Sequence, residues 1–152
     1  MSILFPEKPK PVVGANEFLF SAVGLAHGHI YGMTHALLNA GATLCEVWDD
    51  SPQKVAAFLK VFPQAKAAPS LEAALGNPAV HLIASAAVPS ERCALGIRAM
   101  RAGKDYFVDK APMTSLDQLA QARHAVAETG RKYMVYYSER LHSEAATAAD
   151  YL

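Results

Sequence analysis

From Gly24 to Gly32 the sequence reads Gly-Leu-Ala-His-Gly-His-Ile-Tyr-Gly, a spacing that suits a turn able to hold an anion. Backbone N–H groups at the start of a helix have no intrahelical partner, and the peptide dipoles add up towards them, so negative charge is favoured there. Against the phosphate-cradling pattern Gly-x-Gly-x-x-Gly, Gly24 fills the first place, Ala26 stands at the second and His29 at the third. The Ala26 methyl is a small obstruction to a diphosphate. Close packing of helix on strand then falls to Gly28 or Gly32. The N–H groups from Ala26 through His27, Gly28 and His29 to Ile30 are the candidate anion ligands; the other reading is a tight turn that binds nothing. About twenty residues on, Asp49 and Asp50 end the next apolar run, where a carboxylate accepts hydrogen bonds from the adenosine ribose of a dinucleotide. A carboxylate there repels a 2′-phosphate, and no arginine follows to receive one, so NAD is favoured over NADP. The same two residues also suit a solvated turn that helps cap a helix at Ser51.

The other reactive side chains are less informative. His27 and His29 fall in the turn and His35 nearly two helical turns away. No cysteine or carboxylate joins them at ligand spacing, so no metal is expected. Cys45 and Cys93 are far apart and read as small buried thiols rather than a disulfide or zinc pair. Tyr133, Tyr136 and Tyr137 read as core or interface. With 14 Lys and Arg against 14 Asp and Glu in 152 residues, the charge gives no reason to expect nucleic acid or an anionic membrane. A composition that is 52% hydrophobic and 18% charged builds a core and excludes a disordered tail. The first residues lack the apolar core of a signal peptide, and no run spans a bilayer. A cytoplasmic protein is expected.

These residues must be positioned by an alternation of short apolar runs and helical patterns. Residues 1–16, with Pro6, Pro9, Pro11 and Gly14, read as an irregular arm, and 17–152 as one domain. Runs at 17–24, 43–48, 65–68, 80–84, 105–108 and 132–137 read as strands. Between them lie helices at 29–40, from 51, at 70–75, at about 90–102 and from 115 to Gly130; another is expected over 143–152. Ser51-Pro52 opens one in the favoured order, and Ser115 with Gln118 forms a capping box. About six alternations with short loops predict an α/β fold: a doubly wound, mostly parallel sheet with helices on both faces and a ligand crevice beyond the first strand.

At the fifth strand Gly103-Lys-Asp-Tyr-Phe-Val-Asp-Lys-Ala-Pro112 follows a helix ending Ala99-Met-Arg-Ala102. The segment resembles the Gly-Lys-His-Val-x-x-Glu-Lys-Pro signature of the Gfo/Idh/MocA oxidoreductases, with Asp109-Lys110 standing for the Glu-Lys pair. Val23-Gly24-Leu25, Val47-Trp48-Asp49 and Tyr136-Tyr137-Ser138-Glu139-Arg140 fall where that family has its first turn, ribose acid and sixth strand. The resemblance runs from about Glu17 onward. It implies an NAD(P)-binding Rossmann domain of an enzyme that moves hydride on a sugar-like or cyclitol alcohol. It also places Lys110 near nicotinamide and substrate, Asp109 near the nicotinamide ribose, and Ala86, just past the fourth strand, against the cofactor. A lysine at the carboxyl end of a central strand suits proton transfer; it equally suits an ion pair with Asp109 or with a carboxylate across the sheet. Two residues depart from the pattern: Ala111 separates Lys110 from its proline, and Arg92 stands where the family has a histidine. Family members carry a second α/β domain that binds substrate. The chain is expected to stop where that domain begins, to bind cofactor without completing catalysis alone, and to form a homodimer through Leu141, Ala145, Ala148 and Leu152. The alternative is a non-catalytic module that senses dinucleotide or serves as a partner subunit.

Overall fold

Residues 10–138 are described by the computed structural model of the chain. In order the elements are β1 (Leu19–Val23), α1 (His29–Asn39), β2 (Thr43–Trp48), α2 (Pro52–Val61), β3 (Lys66–Ala67), α3 (Leu71–Gly76), β4 (Leu82–Ser85), α4 (Pro89–Arg101), β5 (Asp105–Asp109), α5 (Leu116–Thr129) and β6 (Tyr133–Tyr136). Among the described residues the strands make a six-stranded sheet in the order β3-β2-β1-β4-β5-β6, with every pairing parallel. The order reverses at β1 and β4, so a crevice opens beyond their carboxyl ends. The helix expected over 143–152, and the self-association argued from it, lie outside the described residues.

Period-two alternation sorts the strand residues between two cores. Phe20, Ala22, Leu82 and Ala84 face α1 and α2, where Ile30, Met33, Phe58 and Phe62 close the layer. Val23, Ile83, Tyr106 and Val108 face the other way, against Leu75 of α3, Leu95, Ala99 and Met100 of α4, and Ala125 of α5. β1 and β4 are apolar almost throughout because both of their faces are covered. Where β2 meets β1 the register slips between Phe20 and Ser21, so Leu44 and Glu46 pair with neighbouring residues and Cys45 is the extra one. That leaves Cys45 half-buried rather than buried, while Cys93 is buried. Burial, the leading cause for each, raises both thiol pKa values.

The helix ends largely follow their local chemistry. Ser51, Ser70 and Ser115 each accept a hydrogen bond from the N–H three residues on. The capping box at Ser115 is half formed: Gln118 Oε1 turns to the N–H of Thr114 at 2.7 Å instead of that of Ser115. α4 packs so tightly that a Cβ on Gly96 would lie 2.5 Å from the ring of Tyr106 and 2.8 Å from that of Tyr133. Tyr106 is fully buried and its hydroxyl donates to the carbonyl of Arg92 at 3.0 Å, so the ring cannot yield without breaking that bond. Gly96→Ala is expected to destabilise the fold by about 1–3 kcal/mol, read as a lower urea midpoint with an unchanged slope.

Candidate functional site

The turn after β1 is laced to the two strands beside it. Gly24 N–H donates to Trp48 O at 3.0 Å, Ala86 N–H to Gly24 O at 3.0 Å, and His27 N–H to Ala86 O at 3.0 Å. Gly24 takes φ +76°, and a Cβ there would stand 2.8 Å from the Cβ of Ala87; both facts require glycine. Gly28 is the residue before α1, with φ −60°, and a Cβ on it would meet nothing within 4 Å. It therefore does not provide the close helix–strand approach anticipated for it. A Cβ on Gly32 would lie 3.3 Å from the Tyr136 hydroxyl, so that approach belongs to Gly32, against β6.

The proposed run of anion-binding donors is shorter than expected. His27 N–H is taken by Ala86, His29 N–H donates to His27 Nδ1 at 3.2 Å, and Ile30 N–H donates to His27 O at 3.2 Å. Among the described residues the N–H groups of Ala26 and Gly28 carry no hydrogen bond within the chain. The Ile30 side chain is fully buried in the core. Ala86 is likewise fully buried and acts as a strut under the turn through its N–H and carbonyl; its successors Ala87 and Val88 line the crevice instead.

That crevice has a volume of about 370 Å³ and runs from Gly24 and Ala26 past Asp49 and Asp50 to Leu71, Glu91 and Arg98. Asp50 is exposed. The Asp49 side chain is only 5% exposed, and its carboxylate is a bracket: Oδ2 accepts from Leu25 N–H at 2.6 Å and Oδ1 from Ser51 N–H at 2.9 Å, with Lys54 Nζ 3.3 Å from Oδ1. Asp49 thus borders the crevice and also ties β1 to the start of α2. A carboxylate oxygen accepts along two directions, so Oδ2 keeps one for a further donor. Burial raises the Asp49 pKa, but the hydrogen bonds from Leu25 and Ser51, then Asp50 and Lys54, outweigh it and hold the group below its usual 3.8. A folded-state pKa below the unfolded one stabilises the fold above the unfolded value and loses that contribution as pH falls through the folded one. Urea unfolding at several pH values is therefore expected to show wild type ahead of Asp49→Asn near neutrality, with the gap closing in acid below about pH 4.

At the end of β5 the fold assembles a cluster from three separate elements. Asp109 is 1% exposed, with His29 Nδ1 2.9 Å from Oδ1 and His27 Nδ1 3.7 Å from Oδ2. From the opposite layer Arg92, itself 2% exposed, reaches Oδ2 at 3.1 Å. Its Nε donates to Ala87 O at 2.7 Å, and its Nη1 to the carbonyls of Asp109, Lys110 and Ala111. Arg92 thereby fixes the whole Asp109–Ala111 segment, in which the Lys110–Ala111 peptide is cis. Sequence reasoning had noticed Arg92 only as a departure from a motif; an arginine at the start of a helix gives no local sign that it is buried. Lys110 does not pair with Asp109 in the described contacts; its Nζ donates to Ser138 Oγ at 2.9 Å. The argument against a metal rested on the lack of a carboxylate near the histidines. Asp109, 80 residues from His29, supplies one, and the donor atoms of His27, His29 and Asp109 all lie within 4.8 Å of one another. His35 is elsewhere, its ring against Phe62.

The sequence matches the model of an oxidoreductase family with an NAD-binding Rossmann fold over residues 12–137. No curated protein matches it. Among solved structures, a protein from Erwinia carotovora atroseptica described as an oxidoreductase is 41% identical with a TM-score of 0.84, over 90% of this chain and 41% of that one. Biliverdin reductase from Synechocystis, solved with biliverdin and NADP+, is 17% identical with a TM-score of 0.75, over 87% of this chain and 42% of that one. A protein from Sinorhizobium meliloti described as a myo-inositol dehydrogenase is 23% identical with a TM-score of 0.73, over 88% of this chain and 41% of that one. The last two are likenesses of fold. The chain spans about two-fifths of the length of these solved relatives. Among the described residues no helix is long and apolar enough to cross a membrane.

Proposed function

The chain belongs to the Gfo/Idh/MocA oxidoreductase family, and from that premise we propose that it binds NAD in the crevice between Gly24 and Asp49. Joined to a substrate-binding domain, it serves hydride transfer on a sugar-like or cyclitol alcohol. The observation that carries this reading is the turn at Gly24, closed so tightly on Ala87 that a Cβ would collide with it, which sets Ala26 at the lip of the crevice beside a buried carboxylate. Ala26 and Gly28 offer N–H groups to a diphosphate at the start of α1. Asp49 Oδ2 and the exposed Asp50 offer acceptors to a ribose. The buried Asp49 carboxylate disfavours a 2′-phosphate, and the nearest cation, Lys54, is already drawn to it at 3.3 Å, which supports NAD over NADP. When bound, the nicotinamide supplies the hydride acceptor or donor.

Lys110, as the neutral amine, is the residue that takes the substrate hydroxyl proton and so becomes the ammonium, its Nζ aligned by Ser138 and its backbone by Arg92. Asp109 is committed to Arg92 and His29 and acts in positioning. Calorimetric titration of the purified chain with NAD+, NADH and NADP+ in parallel tests the cofactor half of the proposal. Saturable binding of NAD(H) with weaker NADP+ is the expected result. Absence of binding to all three would mean that the turn is structural, and tighter NADP+ would reverse the reading of Asp49. In a chain joined to its substrate domain, Lys110→Ala should abolish turnover and spare NADH binding; unchanged turnover would remove Lys110 from the chemistry.

A further inference from the structure

We infer that His27, His29 and Asp109 form a binding site for a divalent transition-metal ion of the zinc class. The inference goes beyond the dinucleotide reading and does not depend on it. Its basis is the convergence of three donor types that suit such an ion, two imidazole nitrogens and one carboxylate oxygen, on one point at the top of the sheet.

The spacing is close to what the ion requires. With metal–ligand bonds of about 2.0–2.1 Å, tetrahedral ligands stand about 3.3 Å apart. Here His29 Nδ1 lies 2.9 Å from one Asp109 oxygen and His27 Nδ1 lies 3.7 Å from the other, with all three donors inside 4.8 Å. Small side-chain rotations bring them to bonding distance, without movement of β5. The two histidines flank the single exposed residue Gly28, and their rings already meet edge to face with centroids 4.2 Å apart.

The carboxylate is also held ready. Arg92 fixes Oδ2 of Asp109 at 3.1 Å and is itself fixed by the carbonyls it bonds, so Oδ1 is presented to His29, while His27 approaches Oδ2. Such outer contacts orient a ligand and are what separates a built site from a chance cluster. The exposures run from 1% for Asp109 through 34% for His29 to 55% for His27, which gives a buried anionic floor and an open mouth. Three protein ligands with an open side leave a position for water or for an oxygen of another ligand.

The proton balance is simple. An ionised carboxylate only accepts, so His29 carries its ring proton on Nδ1 in the metal-free chain. Coordination through Nδ1 moves that proton to Nε2. His27 Nδ1 already presents a lone pair, at present to the His29 N–H, and exchanges that donor for the metal.

The test uses the purified chain, without dinucleotide, and Zn2+ in competition with a chromophoric chelator. One equivalent is expected to bind, with affinity falling at least about tenfold in His27→Ala and in His29→Ala. The exposed His124→Ala variant should match wild type. Circular dichroism establishes that each variant is folded; His27, half exposed, is the safer of the two. Replacing Zn2+ by Co2+ adds a spectroscopic readout, and a spectrum of nitrogen and oxygen ligands without a thiolate charge-transfer band is expected. The proposal is overturned if His27→Ala binds as tightly as wild type, if a thiolate band places the ion at Cys45, or if no uptake occurs at about 100 μM Zn2+. None of these outcomes bears on NADH titration, so the two readings fail separately.

Discussion

Arg92→Met is expected to cost about 3–5 kcal/mol of folding stability, the largest single loss among the polar residues of the site. The substitution keeps most of the apolar stem but strips the guanidinium from a position that is 2% exposed. Asp109, 1% exposed, then keeps a buried charge with only His29 and His27 beside it. The carbonyls of Ala87, Asp109, Lys110 and Ala111 each lose a donor as well. Lysine is no conservative replacement, because a single ammonium cannot span these carbonyls and the Asp109 carboxylate as the planar fork does. Urea unfolding measures the loss. Pairing Arg92→Met with Asp109→Asn should recover part of it by removing the stranded charge, giving a coupling between the two of more than about 1 kcal/mol. Strict additivity would mean that the ion pair contributes nothing and that the carbonyl contacts carry the effect.

Gly24→Ala is the second large effect, and it acts on both stability and binding. At φ +76° a side chain costs about 1–2 kcal/mol in backbone energy alone. The new methyl also stands 2.8 Å from Ala87 Cβ and 3.3 Å from Ala87 Cα, and a backbone atom cannot swing away as a flexible side chain would. Overpacking adds about 1–3 kcal/mol, so the total destabilisation is expected at about 2–5 kcal/mol by urea denaturation. Relief of the clash would push the β1 turn away from β4 and loosen the hydrogen bond from His27 N–H to Ala86 O. NADH affinity should therefore fall by more than the same substitution at Gly28, where a Cβ meets nothing. Equal effects at the two glycines would place the ligand elsewhere.

These two residues also show what the sequence makes visible. Gly24 was legible because its demand is local: a buried run, a turn that needs a positive φ, then an apolar helical stripe. The same holds for Ser51 and Ser115, whose hydroxyls act within three residues, and for the alternation that orders the sheet. Arg92 was not legible as a buried clamp, since its partners come from β5 and the loop after it, and a charged side chain in a helix is by default exposed. Asp109 and the two turn histidines stand out separately in the sequence, but their meeting depends on the crossover that brings the end of β5 to the start of α1. At Ile30 and Ala86 the backbone groups are engaged within the chain, Ile30 N–H with His27 O and Ala86 N–H with Gly24 O. A short irregular turn has no period from which to read such bonds.

The placement of β1 in the centre of the sheet has a consequence for how the chain is made. β1 leaves the ribosome before the other described strands, yet one of its edges is filled by β4, which follows β2 by a full α2–β3–α3 excursion. At ordinary rates of synthesis that excursion takes a few seconds. During it the nascent β1–β2 pair presents an apolar strand edge, Leu19-Phe-Ser-Ala-Val23, with nothing to pair it. Contacts so distant along the chain also form slowly once both partners exist. The vulnerable interval for this protein is therefore during translation. A synonymous slow-codon stretch between β2 and β4 should lower its soluble yield, whereas the same stretch placed after β6 should leave the yield unchanged.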